Sequence, residues 1–126
     1  MKKCIHTSKA PAPIGPYSQA VLSGNTLYIS GQIGINPSNG ELVHGDIAAE
    51  TRQVLENLRA VLEEAEMGFD QVVKTSIFIK DMNQFSQINQ VYATYFPGVE
   101  TPARETVEVS NLPRFVNVEI SMIAVK

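Results

Sequence analysis

Residues 46–80 read DIAAETRQVLENLRAVLEEAEMGFDQVVKTSIFIK, and within them the hydrophobic period switches from that of a helix to that of a strand. Ile47, Val54, Leu55, Leu58, Val61, Leu62 and Ala65 recur at three- and four-residue steps, leaving Glu56, Arg59, Glu63 and Glu66 on the outer side. Asp46 is placed to cap the first turn and Gly68 to end the last. Val72 to Lys80 then reads as a strand rich in β-branched residues, with Ile77-Phe78-Ile79 at its centre. An amphipathic helix running straight into an apolar strand predicts a sheet and a helix that share one core.

Working outward, Gln19–Ser23 and Thr26–Ser30 form a predicted hairpin around Gly24-Asn25, a two-residue link whose members both tolerate positive φ. Asn36-Pro37-Ser38-Asn39-Gly40 is a second turn signal. Beyond the central strand, a second helix is predicted from about Asp81 to Tyr95, burying Met82, Phe85, Ile88 and Tyr92 and stopping before Pro97. Two closing strands, Ala103–Ser110 and Val116–Val125, flank a Leu112-Pro113 break. The expected class is α+β: a single mixed sheet of about six strands with two helices on one face. The other face stays uncovered in a monomer yet still carries apolar residues, which predicts a homo-oligomer.

The 126 residues suit one domain, taken as 1–126, and 44% hydrophobic content excludes a disordered or collagen-like chain. The longest unbroken apolar run is Met122–Val125, far short of the roughly 20 residues of a membrane span. No apolar segment follows Met1-Lys2-Lys3, so no secretory signal is read, and a single cysteine fits a reducing compartment; the expected location is cytoplasmic. Ten basic against thirteen acidic residues give a net charge of −3, the wrong sign for general nucleic-acid binding. Eight of the acids fall within residues 41–70, which reads as the solvated face of the first helix. What remains open is a small, local anion site.

Strand alternation puts Arg104 and Thr106 on one face of their strand, and Glu119 with Asn117 and Ser121 on one face of the last. If these strands pair as a hairpin with Thr106 opposite Glu119, then Arg104, Thr106 and Glu119 share a face; a one-residue slip separates them. A guanidinium can hold a carboxylate through two parallel hydrogen bonds, and a nearby carboxylate can orient or deprotonate water. The alternative is ordinary ion pairing of Arg104 with Glu100, Glu105 or Glu119. A second candidate combines Ile14-Gly15-Pro16-Tyr17 with Ser30-Gly31-Gln32-Ile33-Gly34. The Gly15-Pro16 bend can aim Tyr17 at a pocket, and Gly31 permits close approach to its backbone. The alternative there is Tyr17 in the core and glycines serving turns or a bulge. Asn89 falls on the inward side of the second helix, where it is either structural or ligand-binding. His6 and His44 are isolated, and no Cys/His cluster has metal-ligand spacing, so no metal is expected. No phosphate loop or nucleophile elbow is present, and Cys4 lacks an evident base.

Ile14-Gly-Pro-Tyr-Ser-Gln-Ala20, Leu27-Tyr-Ile-Ser-Gly-Gln-Ile-Gly34, Pro102-Ala-Arg104 and Val118–Val125 together resemble the Rid (YjgF-type) family, most closely its reactive-intermediate deaminase A branch. The resemblance spans the chain in the expected order. It implies a chorismate-mutase-like fold, a homotrimer with pockets between subunits, and hydrolysis of 2-iminopropanoate and 2-iminobutanoate, or their enamine tautomers, to 2-oxo acid and ammonia. Those substrates arise from pyridoxal-phosphate-dependent dehydratases. By resemblance Arg104 grips the substrate carboxylate with help from the Gly31 N–H, and Glu119 handles the attacking water. Tyr17, Ser30 and Asn89 shape the pocket, and no cofactor is needed. One departure stands out: Thr106 occupies a place where many members carry cysteine, which is expected to alter fit more than turnover. Two other functions are weighed, a carboxylate-binding regulatory module without catalysis and the endoribonuclease activity attached to some relatives; the acidic charge disfavours the latter.

Overall fold

A computed structural model describes residues 1–98 and 100–126. The strands are β1 (Lys2–Ile5), β2 (Ala20–Ser23), β3 (Thr26–Gln32), β4 (Val72–Ile79), β5 (Ala103–Glu108) and β6 (Val118–Val125); the helices are α1 (Ile47–Glu64) and α2 (Phe85–Ala93). The six strands form one sheet in the order β1-β2-β3-β6-β4-β5, antiparallel except where β4 meets β5. The expected mixed sheet with two helices is therefore the observed architecture. Strand β1 carried no sequence signal, because three of its four residues are exposed and two are lysines.

Local chemistry explains the elements. In the β2–β3 link only Gly24 takes positive φ (61°), the φ pattern of a II′ hairpin turn. Asp46 caps α1, its carboxylate accepting the Ala48 N–H at 3.1 Å. The other end of α1 differs from expectation. The stop is Glu66, in the left-handed region at φ 59°, and Gly68 lies beyond it in extended backbone. The Glu66 N–H bonds to the Glu63 carbonyl and the Met67 N–H to the Leu62 carbonyl, the two bonds of a Schellman motif. Met67 and Leu62 both enter the core, so packing stabilises a conformation that the Glu66 side chain disfavours. The second helix is also shorter than expected. A 3₁₀ turn at Met82–Gln84 precedes it, and Met82 is 42% exposed rather than buried.

Both helices cover the same sheet face. Ile77 and Ile79 of β4 and Val118, Ile120 and Met122 of β6 meet Val54, Leu58 and Val61 of α1 and Ile88 of α2 in one cluster. Complete burial of each such side chain contributes about 1.5–3 kcal/mol. The opposite face presents Tyr28 (51% exposed) and Val107 (39% exposed), together with Lys74, Ser76 and Glu105. There Glu105 accepts from Ser76 and pairs with Lys74 at 3.0 Å, which lowers its pKa, the Ser76 bond contributing most. Among the described residues no helix is long and apolar enough to cross a membrane.

The pairing of the closing strands is corrected by this topology. β5 and β6 are not neighbours: β4 lies between them, parallel to β5 and antiparallel to β6. Thr106 is level with Ile77, which is level with Ile120; Glu119 is level with Phe78, which is level with Val107. Arg104 and Thr106 therefore lie on the helix-covered face and Glu119 on the open one. Asn117, expected beside Glu119 on the last strand, sits in the bend before it.

Candidate active site

All but one of the sequence-predicted residues, Thr106, fall into two clusters on opposite faces of the sheet. The first surrounds Glu119. Between Ile29 and Gln32 the register of β3 against β6 shifts, so that Ser30 and Gly31 form a bulge facing Ser121. The Glu119 side chain crosses this bulge: a Cβ on Gly31 would stand 2.6 Å from Glu119 Oε2 and 2.8 Å from its Cδ. Gly31 thus serves a bulge, and within the protomer it is Glu119 that makes the close approach to it.

Beside this contact is a cavity of about 350 Å³, walled by Pro11, Ile14, Tyr17, Ile33 and Pro113 and closed by Ser30, Gly31 and Glu119. Tyr17 is half exposed at its rim rather than in the core, its backbone turned by an N–H bond to the Gly15 carbonyl. Ser30 donates its hydroxyl to the Ser18 carbonyl at 2.6 Å, tying the Tyr17 segment to β3. Burial raises the pKa of Glu119, and among the described residues no cation lies within ion-pairing distance of it. The pocket thus offers a half-buried proton acceptor with apolar walls.

The second cluster surrounds Arg104. Its Nη1 donates to Asn89 Oδ1 at 2.8 Å, and its guanidinium lies 5.0 Å from the Tyr92 ring centroid and 5.7 Å from that of Phe85. Tyr92 in turn donates its hydroxyl to Thr75 at 3.0 Å, and burial raises its pKa. Arg104, Asn89, Tyr92, Phe96, Thr101 and Pro102 line a cleft of about 420 Å³. None of the acids considered as ion-pair partners for Arg104 holds it; Asn89 orients it instead. Thr106 lines neither cleft, and its hydroxyl oxygen is buried without a hydrogen-bond partner.

One residue at the Glu119 pocket was missed by sequence reasoning. Gln19, 2% exposed, accepts the Thr7 N–H and donates to the carbonyls of Thr7, Ala10 and Pro11, pinning the segment that walls the cavity. A lone amide just ahead of the apolar run of β2 was the available signal. Among the described residues no group of three His, Cys, Asp or Glu side chains is gathered to hold a metal.

A family described as endoribonuclease L-PSP matches residues 7–126. The chain is 50% identical, over 126 residues, to the 2-iminobutanoate/2-iminopropanoate deaminase of Mus musculus, covering 100% of this chain and 93% of the mouse protein. The solved structure of the Rid-family protein YyfA from Yersinia pestis is similar at 53% identity and a TM-score of 0.97, with 100% of both chains covered. That of E. coli TdcF, which holds serine, is similar at 39% identity and a TM-score of 0.94, with 98% of each covered.

Proposed function

The chain belongs to the Rid (YjgF-type), or endoribonuclease L-PSP, family, and from that premise we propose that it hydrolyses small 2-imino acids such as 2-iminopropanoate and 2-iminobutanoate to 2-oxo acids and ammonia. Support comes from the mouse relative's activity at 50% identity. The observation that carries the reading is the chemical complementarity of two incomplete clefts. Among the described residues, one offers an oriented guanidinium with no acid or imidazole in its lining, the other a carboxylate with no cation in ion-pairing range.

Because these clefts open on opposite faces of one sheet, the working site is composed of Arg104 from one protomer and Glu119 from the next. The open sheet face is the surface over which copies associate, as a homotrimer. Arg104, fixed by Asn89 and stacked on Tyr92, retains further N–H donors for the substrate carboxylate. Glu119 accepts a proton from water as the oxygen bonds to the imine carbon. The same proton then goes to the nitrogen, and as the carbon–nitrogen bond breaks the proton of the new hydroxyl passes through Glu119 to the departing ammonia, leaving a 2-oxo acid and ammonium. A protonated imine is already electrophilic, so positioning of carboxylate and water accounts for most of the acceleration. In a cell, the role is removal of reactive imines released by pyridoxal-phosphate-dependent dehydratases.

The test is addition of the protein to a threonine dehydratase reaction while 2-oxobutanoate release is followed. Acceleration that disappears with Arg104→Ala is the expected result; no acceleration refutes the reading. A second reading, a non-catalytic sensor of small carboxylates, is favoured by the serine held in TdcF. Binding of 2-oxobutanoate with no hydrolysis of imine would select it.

A further inference from the structure

Glu50 is the one acid of the 41–70 block that turns inward. It lies in the first turn of α1, 2% exposed. Both carboxylate oxygens are used, and both by the same residue: Oε2 accepts the Asn117 backbone N–H at 2.8 Å and Oε1 accepts Asn117 Nδ2 at 2.9 Å. On its other side Glu50 packs against Gly34, where a Cβ would stand 3.0 Å from Glu50 Cγ and 3.2 Å from its carbonyl oxygen. Two turns further along α1, Asn57 is fully buried and donates to the carbonyls of Ile33 and Ile35 at 3.1 and 3.0 Å.

These contacts converge on one place. Residues 33–35 lead out of β3 and Asn117 leads into β6, just past the Gln32–Ile120 pair where the ladder between those strands ends. β3 carries the Ser30-Gly31 bulge and β6 carries Glu119. A buried polar group is costly unless satisfied, so its partners hold fixed positions. Hydrophobic contacts alone would let the two strand ends slide by fractions of an ångström.

We propose that Glu50 is a positioning residue for the reaction: by binding Asn117 with both oxygens while packing on Gly34, it sets where Glu119 stands over Gly31. The functional part of this inference rests on the deaminase reading; the geometric part does not. The bonding pattern makes a specific demand on substitutions. Glu50→Gln can keep both bonds if the Asn117 amide turns over, its oxygen then accepting from the glutamine NH₂. Glu50→Ala can keep neither.

The experiment compares the full-length protein with Glu50→Ala and Glu50→Gln in the dehydratase-coupled assay, and follows the Glu119 carboxyl by carbon-13 NMR titration. In Glu50→Ala, kcat is expected to fall about 10–100-fold per folded protein, the scale of a 1 Å misplacement. KM should change little, because Arg104 belongs to the other cleft. The Glu119 titration should move toward that of an exposed glutamate. Glu50→Gln should restore both properties. Unchanged kcat and titration in folded Glu50→Ala, or a Glu50→Gln variant as impaired as Glu50→Ala, overturns the proposal. If Glu50→Ala does not fold, Asn117→Ala removes the side-chain bond alone and must lower kcat at constant KM; an unchanged kcat overturns the proposal equally. If the unsubstituted protein shows no turnover, the deaminase reading is what fails, and the carboxyl titration by itself decides whether Glu50 positions Glu119.

Discussion

Glu119 lies across Gly31 so closely that the glycine hydrogen is all the space allows: a methyl group there would stand 2.6 Å from the carboxylate oxygen. Gly31→Ala should therefore push the Glu119 side chain aside while leaving the sheet intact, since the displaced atoms are the free end of a flexible side chain. The expected result is a loss of about 10–100-fold in kcat, because a 1 Å displacement of a reacting group has that effect. A thermal melt run beside the coupled assay checks that stability changes far less than rate.

Within its own protomer Glu119 is half-buried with no cation in ion-pairing range among the described residues, which holds its carboxyl above the usual carboxylate range. In the substrate complex the substrate carboxylate neutralises the guanidinium that the next protomer is proposed to bring. The ionised form is the working base, so kcat should fall as pH drops through this raised value, at a higher pH than an exposed glutamate near 4.3 would produce. The sign for stability is opposite. Folding favours the neutral form, so the ionised group destabilises the native state at neutral pH, and that cost vanishes as pH falls below the unfolded value. Glu119→Gln should lose about 10²–10⁴-fold in rate. It should also melt higher than the unsubstituted protein near neutral pH, with the gap closing in acid. A melt that falls on substitution at neutral pH would contradict this account.

Arg104 is held by one hydrogen bond and two aromatic rings, which fix its plane. Lysine has the charge but neither the fork nor the planar stacking surface. Arg104→Ala is expected to lower kcat/KM about 100-fold, the equivalent of one or two charge-assisted hydrogen bonds. Arg104→Lys should recover only part of that loss. Steady-state kinetics with 2-iminobutanoate generated in the assay distinguish the two.

If the site is composite, two dead variants should revive one another. Arg104→Ala and Glu119→Gln protomers, unfolded and refolded together, would create some interfaces with both native groups, about one quarter under random mixing in a closed ring. Activity should return toward that fraction of the unsubstituted rate. A mixture as inactive as its components would mean that the two clefts never meet.

Gln19 makes four hydrogen bonds to backbone from a buried position. Gln19→Ala leaves carbonyls of the 7–11 segment unsatisfied and should destabilise the fold by about 2–4 kcal/mol, measured by urea denaturation.

What could be read directly from the chain is what short-range physics controls. A period of 3.6 and an aspartate cap marked α1, a period of two sorted the residues of β5 and of β6 onto their own faces, and Gly24-Asn25 marked the first hairpin. Motifs such as Leu27–Gly34 carried enough chemistry to single out Arg104, Glu119, Tyr17 and Gly31. Where α1 ended was harder to see, because Met67 packing on the core lets Glu66 take a conformation that pattern rules assign to glycine.

Which strands lie side by side was decided only in three dimensions. The alternation within β5 and within β6 was right, yet it could not say that β4 stands between them, since strand pairing depends on contacts between residues distant in sequence. That single fact puts Arg104 and Glu119 on opposite faces. The assembled fold also brings Glu50 and Asn117, 67 residues apart, into contact just before the start of β6. Local sequence fixes which way a side chain points from its own strand; only the assembled sheet fixes what it points toward.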